Sequence, residues 1–407
     1  MDFKLSPEQR LFRDTVRAFT EGEIRPVARA MESSGAYPEQ IVEKMRQMGL
    51  FGLTVPDEFG GMAADLVSYA IAFEEISRGW MGVAGILGSH TLSCWMIARY
   101  GTADQKREHL PDLATGARQT GIALTEPAAG TDLQGIETVA RAVGGDYVIT
   151  GRKMWITNAR HADPLPVLVK TDTRALPPHR GMSVLLVPAR TPGFDVVRDL
   201  PKLGYHGPET CEVVLDEVRV PRAALLGGEE GRGLQQVLSA LEIGRINIAA
   251  RAVGVAQEAY AEALRYAGQR EAFGQPIGNF QAVQLKLADM ATKIQAARLL
   301  TYWAADLRDN SGRDNSGRDN SGRNNSGRDD GGRADMETSM AKVFASEVAV
   351  ECALAAMQVH GAYGYSREFT VERLYRDAPL MAIGEGTNDI LRTVIARALI
   401  SGRGKID

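Results

Sequence analysis

Ile122-Ala123-Leu124-Thr125-Glu126-Pro127-Ala128-Ala129-Gly130-Thr131-Asp132 marks the place where the hydrophobic pattern of the chain changes period. Upstream, Ser6-Pro7-Glu8-Gln9 combines a cap residue, a proline at the first helical position and a glutamine three residues after the serine. Leu11, Phe12, Val16 and Phe19 then recur at helical spacing. The same period runs through 40–48, 66–77 and 88–99. Downstream, 138–143, 147–150, 166–170, 182–187 and 211–215 are short β-branched or apolar runs separated by turns such as Gly144-Gly145-Asp146 and Pro192-Gly193. After Gly231-Arg232-Gly233 the helical period returns in four long, alanine-rich stretches, 234–265, 280–307, 334–358 and 389–400. The pattern predicts a helical domain over residues 1–121, a β domain over 122–233 and a second helical domain over 234–407.

A chain of 407 residues, 44% hydrophobic and 24% charged, can bury a large core shared among several such units. A formal net charge of −4 gives no basic field for a phosphate backbone, so no nucleic-acid partner is expected. Met1-Asp2-Phe3-Lys4-Leu5 opens no apolar signal segment, and the chain reads as one without a membrane-spanning segment, which predicts a cytoplasmic protein without a membrane partner. Cys94, Cys211 and Cys352 are far apart, without a second metal-type ligand at short spacing, and read as packed, reduced thiols. His90, His161 and His206 share no helical face, so no metal site is expected. From Arg308-Asp309-Asn310-Ser311-Gly312 a five-residue repeat without an apolar residue runs to Arg333 and reads as a flexible, dispensable excursion between helices.

Neither a Gly-x-Gly-x-x-Gly after a strand nor a Walker-type Gly-x-x-x-x-Gly-Lys-Ser/Thr occurs, so a nucleotide would be held in another way. In 122–132, small residues and hydroxyls let backbone approach a ligand closely, although the segment alone is also an ordinary polar turn. Lys153-Met154-Trp155-Ile156-Thr157-Asn158 is equally open, since an aromatic in a strand is usually core. Near the C-terminus, Gly384-Glu385-Gly386-Thr387-Asn388 places a carboxylate between two glycines, with Thr387 or Asn388 able to cap the following helix. By local physics alone Glu385 reads as an exposed turn glutamate.

Taken in order, Leu124 to Asp132, Trp155-Ile156-Thr157, Arg270-Glu271-Ala272-Phe273-Gly274, Gln358 to Tyr365 and Glu385-Gly386-Thr387 resemble the acyl-CoA dehydrogenase family from the first helix to Arg397, the repeat apart. The resemblance implies a mainly α fold with a central β-barrel or sandwich and a C-terminal four-helix bundle. It also implies an FAD cofactor, an acyl-CoA substrate, an electron-transfer flavoprotein as electron acceptor and a homotetramer. Residue by residue, Leu124, Thr125, Gly130 and Thr131 would contact the flavin and its ribityl or phosphate portion, with Thr131 also near the coenzyme A. Trp155 would lie on the isoalloxazine and Thr157 would bond its hydride-accepting nitrogen. Arg270, Phe273, Gln281, Gln358 and Gly361 would reach FAD bound mainly by a neighbouring subunit. Gly386, Thr387 and Asn388 would close over the cofactor, with Gly386 and Arg245 also at the substrate. Ala128, Ala272 and Ala362 stand where the family usually has Gly, Thr and Gly.

Glu385 would be the base that takes the α-proton while its backbone N–H and a ribityl hydroxyl hold the thioester oxygen, the charge-stabilising arrangement such a weakly acidic proton requires. Some branches of the family place the base at the position of Gly244, which has no side chain here, and Glu242 two residues away points elsewhere on a helix. The same scaffold also serves oxygen-using acyl-CoA oxidases, flavin monooxygenases and a DNA-binding flavoprotein that protects against alkylation. The last of these would want a basic C-terminal surface, which is not evident. Residues 83–97, expected to wall the acyl pocket, include His90 and Trp95 but no Arg or Lys. That composition favours a short to medium, straight or branched, monocarboxylic acyl group.

Overall fold

The computed structural model describes residues 4–313, 334–402 and 404. The Ser6 side chain accepts from the Gln9 N–H while the Gln9 side chain accepts from the Ser6 N–H, and this reciprocal cap starts α1 (Pro7–Phe19). α2 (Arg25–Ser34), α3 (Glu39–Gln47), α4 (Leu66–Tyr100) and α5 (Ala103–Thr115) complete the first helical region. α4 unites the two helices expected at 66–77 and 88–99, with a break at Trp80, whose backbone is extended (φ −161°, ψ 109°). Among the described residues α4 is long and apolar enough to cross a membrane, which departs from the composition-based expectation. Its most apolar window has a mean hydropathy of 1.3, and 83% of that window is buried inside the fold. The apolarity is that of a core helix packed against α6 (Gly233–Gln269).

Between them lie β1 (Val139–Val143), β2 (Asp146–Thr157), β3 (Leu165–Lys170), β4 (Met182–Val187), β5 (Phe194–Asp199) and β6 (Thr210–Pro221), which form one six-stranded sheet in the order β4-β3-β1-β2-β6-β5. Only the β1–β3 pair is parallel. β5 was not anticipated, and β2 continues seven residues beyond Thr150.

The C-terminal helices are α6, α7 (Gln281–Arg313), α8 (Asp335–His360), α9 (Thr370–Ile383) and α10 (Asn388–Ile400). Alanines on α6 (Ala249, Ala252, Ala256, Ala259, Ala263) and α8 (Ala341, Ala345, Ala349, Ala353, Ala356) are buried in one core, and such short side chains let helix axes approach closely. The expected excursion at 308–333 needs correction at its start. Residues 308–313 belong to α7, Arg308 Nε pairs with Glu242 at 2.9 Å, and Asp309 accepts the Leu66 N–H at 2.7 Å. Two charged residues of the repeat therefore hold α7 against α6 and α4. The remainder, 314–333, lies outside the described residues.

Candidate active site

The segment 122–132 leaves the helical region as an irregular strand laid on the sheet. The Ala123 N–H donates to Pro166 O at 2.9 Å, Leu168 N–H donates to Ala123 O at 3.0 Å, and Met154 N–H donates to Thr125 O at 2.8 Å. A buried ion pair fastens it. Lys153 Nζ, fully enclosed, reaches Glu126 Oε1 at 2.7 Å and Leu124 O at 3.1 Å, and Glu126 also accepts from the N–H groups of Glu137 and Thr138. Burial pulls the Lys153 pKa down to about 8 against the attraction of Glu126. Neither residue was singled out from the sequence, because their partnership spans the loop and β2.

The register of β2 against β6 slips between Lys153 and Ile156. Inside this irregularity Trp155 takes a left-handed backbone (φ 65°) and leaves 57% of its surface exposed. Thr157, half-buried, follows it, and Asn158 (φ 62°) ties the strand end to α4 by donating to Ile86 O at 2.9 Å. Gly130 and Thr131 are exposed, Leu124 is buried, and a Cβ at Gly130 would meet only the Thr125 methyl at 3.9 Å. A bare indole next to an open, glycine-containing loop is an apolar plate of the kind that a planar aromatic group covers.

Glu385 sits between the end of α9 and the Thr387 cap of α10, whose hydroxyl accepts the Ile390 N–H. Both Glu385 (φ 57°) and Gly386 (φ 91°) are left-handed. This turn aims the carboxylate at Gly244 on α6, and a Cβ added there would overlap Glu385 Oε2. Oε2 is sealed from solvent and has no hydrogen-bond partner. Burial raises the Glu385 pKa to about 7, opposed in decreasing order by Arg251, Arg245 and Lys342. Gly244→Ala should leave the fold intact, since the far end of a flexible side chain can yield. With Glu385 as the base that the resemblance implies, displacing the carboxylate by an ångström should slow flavin bleaching about a hundredfold in stopped-flow assays. A wild-type rate in this variant would show that the carboxylate does not act from this position.

Lys342, on α8, was also missed. Its ammonium donates to Gly386 O at 2.8 Å and Asn388 Oδ1 at 2.9 Å, while Asn388 Nδ2 donates to Ser346 Oγ at 3.0 Å. The turn that carries Glu385 is thus clamped from α8, and burial lowers the Lys342 pKa to about 7. A lysine among Ser339, Ala341, Ala345 and Ser346 was the available sequence signal. Arg245 is buried, with its guanidinium engaged by Asp335 and, at 3.3 Å, by Ser339 Oγ.

The structure does not bring Arg270, Phe273, Gln281, Gln358 and Gly361 to this turn. They are exposed around the far end of α6, which carries Arg270 roughly 37 Å beyond Arg245. Phe273 (φ 52°) and Gly274 (φ 78°) form the tip of a two-residue hairpin between β7 (Glu271–Ala272) and β8 (Gln275–Pro276), and Phe273 is 96% exposed. Two residues expected at the acyl pocket are committed elsewhere. His90, fully buried, bonds Leu113 O at 3.0 Å and the Thr120 N–H at 3.2 Å, and Trp95 meets Arg308 and Tyr100.

Sequence profiles of the N-terminal, middle and C-terminal domains of acyl-CoA dehydrogenases match residues 6–117, 121–218 and 231–400. A probable acyl-CoA dehydrogenase of Bacillus subtilis is 41% identical over 98% of this chain and 100% of its own. The caffeyl-CoA reductase-Etf complex subunit of Acetobacterium woodii is 36% identical over 97% of this chain and 99% of its own. The structure of butyryl-CoA dehydrogenase from Megasphaera elsdenii superimposes with a TM-score of 0.90 at 34% identity, covering 98% of this chain and 100% of that one. With three consecutive domains matched and the fold shared from end to end, the chain belongs to the acyl-CoA dehydrogenase family of FAD-dependent flavoproteins.

Proposed function

We propose that this protein oxidises an acyl-CoA thioester to the trans-2-enoyl-CoA with FAD as cofactor, Glu385 as base and an electron-transfer flavoprotein as acceptor. The observation that carries the reading is Glu385, a half-buried residue whose Oε2 is sealed from solvent and unpartnered, with a pKa raised by desolvation to about 7. A carboxylate so placed is a stronger base than one in water and is still about half ionised at neutral pH. Family membership and an Etf-complex relative support the cofactor and the acceptor.

The chain fits the cofactor. Exposed Trp155 offers the plate for a flavin ring, Leu124, Thr125, Gly130 and Thr131 the adjoining loop, and Thr157 a hydroxyl beside it. FAD, when bound, supplies the two-electron acceptor. Glu385 takes the α-proton, and no backbone acceptor occupies its N–H among the described residues, which leaves that donor for the thioester oxygen. Gly386, Thr387 and Asn388, clamped by Lys342, keep the turn rigid while the proton moves. Thr131, Gly386 and Arg245 flank the path of the coenzyme A.

Arg270, Phe273, Gln281, Gln358 and Gly361, too distant to share the flavin of their own chain, serve the cofactor of a neighbour. That requires at least a dimer, and we propose the homotetramer. Three buried cysteines without a disulfide fit a reducing, cytoplasmic setting.

Flavin bleaching by acyl-CoA should rise about tenfold per pH unit below pH 7 and level off above it, because only ionised Glu385 accepts the proton. A profile flat from pH 5.5 to 9 would remove Glu385 from the step, and a colourless protein that no acyl-CoA bleaches after FAD is added would remove the whole reading.

A further inference from the structure

Gly244, Asn247, Ile248 and Arg251 share one face of α6, at the spacing that stacks side chains along a helix. At Gly244 this face supports the base. One turn on, Asn247 Nδ2 donates to the Tyr69 hydroxyl at 3.2 Å and the Asn247 amide lies against Gly88 of α4. Two turns on, roughly 10 Å along the axis, is Arg251. Helical side chains lean toward the N-terminus, so Arg251 leans back toward the base, and its effect on Glu385 is the strongest of the three cations that oppose the burial shift.

Arg251 is 4% exposed, yet no carboxylate lies within ion-pair distance of it among the described residues. Buried Arg245 has Asp335 and buried Arg308 has Glu242, while buried Arg373, which likewise has no carboxylate at that distance, donates to Gly79 O at 2.7 Å. The Arg251 Nε is buried without a partner, a terminal nitrogen reaches the Met81 sulfur, and the guanidinium meets the Tyr205 hydroxyl and lies 5.2 Å from that ring's centre. A buried guanidinium left with a thioether and one phenol, and with no carboxylate, is poorly compensated.

Tyr205 is built to stay beside it. Its backbone is left-handed (φ 58°), its N–H donates to buried Asp377 at 2.6 Å, and Lys202 Nζ covers the ring at 4.9 Å. Its hydroxyl occupies the space that a Cβ at Gly85 would need. Burial raises the pKa of this hydroxyl and keeps it a neutral donor. A buried cation on the α6 face that Gly244 turns toward the base, and a buried hydroxyl held beside it on a left-handed backbone, form a receptor for an anion.

We propose that Arg251 and Tyr205 bind a carboxylate at the far end of the acyl group, so that the preferred substrate is a short dicarboxylic monothioester of coenzyme A. The inference rests on the reading of Glu385 as base. It reverses the monocarboxylic expectation, which looked for a cation only among residues 83–97 when the cation comes from α6. It also gives the substrate a part in its own activation. A carboxylate on Arg251 offsets the charge that holds the Glu385 pKa down, so the base strengthens as the correct acyl group arrives.

The test uses the FAD-loaded enzyme, a dye acceptor, and glutaryl-CoA and butyryl-CoA as probes, with flavin bleaching followed in parallel. Wild type should show a kcat/KM for glutaryl-CoA about a hundredfold above that for butyryl-CoA, the range that a charge-assisted contact supplies. Arg251→Gln should lower the glutaryl-CoA value about a hundredfold, mostly through KM, and invert the preference, while Arg251→Lys should recover part of it. Tyr205→Phe removes one hydroxyl and should lower the glutaryl-CoA value alone, which keeps the proposal testable if Arg251→Gln does not fold. A wild-type preference for butyryl-CoA, or equal losses on both thioesters in Arg251→Gln, overturns the proposal and leaves Glu385 as base untouched. Failure of every thioester to bleach the flavin overturns both.

Discussion

Glu385→Gln should fold, retain FAD and bind acyl-CoA, yet bleach its flavin a hundred- to ten-thousand-fold more slowly than wild type. The amide keeps the size of the side chain and the left-handed turn, so the backbone N–H stays where it was. An amide cannot accept a proton at neutral pH. Stopped-flow mixing with acyl-CoA isolates the step because no downstream acceptor is present. Glu242→Gln is the comparison variant, and the structure changes what it means. Glu242 is fully buried against Arg308 Nε at 2.9 Å, so its loss should weaken the α6–α7 junction while the folded fraction keeps bleaching. A fast Glu385→Gln beside an inert but folded Glu242→Gln would transfer the role of base.

The second large effect concerns stability. Lys153→Met should cost roughly 3 to 5 kcal/mol, the usual penalty for stranding one partner of a buried ion pair. Lys153 is fully enclosed and Glu126 nearly so, and the two fix the loop that carries Leu124, Thr125 and Gly130. Urea unfolding followed by circular dichroism should report the loss, and FAD should dissociate at lower urea than in wild type. A change below about 1 kcal/mol would mean that the ordinary backbone bonds of Ala123, Leu168 and Met154 already hold the loop.

Local chemistry made most of the fold readable. The Ser6-Pro7-Glu8-Gln9 cap, the Gly144-Gly145 turn between β1 and β2, and the alanine-rich face of α6 each act within a few residues of themselves. β5 escaped notice because Asp195, Arg198 and Asp199 lie on an edge strand, where charges face water and blur the alternation. The assignment of Glu385 as the proposed base came only through family resemblance, since its enclosure comes from α6 and α8, more than forty residues away along the chain. Lys153, Arg251 and Lys342 stayed hidden for the same reason. Arg251 and Lys342 are each one charged residue in an apolar stretch, Lys153 follows Arg152 in an ordinary strand, and only the packed structure shows that Lys153 and Lys342 have partners while Arg251 has no carboxylate.

The overlap between Glu385 and any side chain at residue 244 also constrains how this enzyme can evolve. A lineage that shifts its base to α6 needs a carboxylate at 244 and the loss of the one at 385, and the order of the two changes matters. Gaining the first while Glu385 remains forces two negative charges into one confined space, and, with Glu385 as the proposed base, losing it first leaves none. Each intermediate is therefore handicapped although the end states are equivalent in chemistry. Such a transition is expected to pass through a spare gene copy, with the glycine at 244 and the glutamate at 385 inherited or exchanged as a pair.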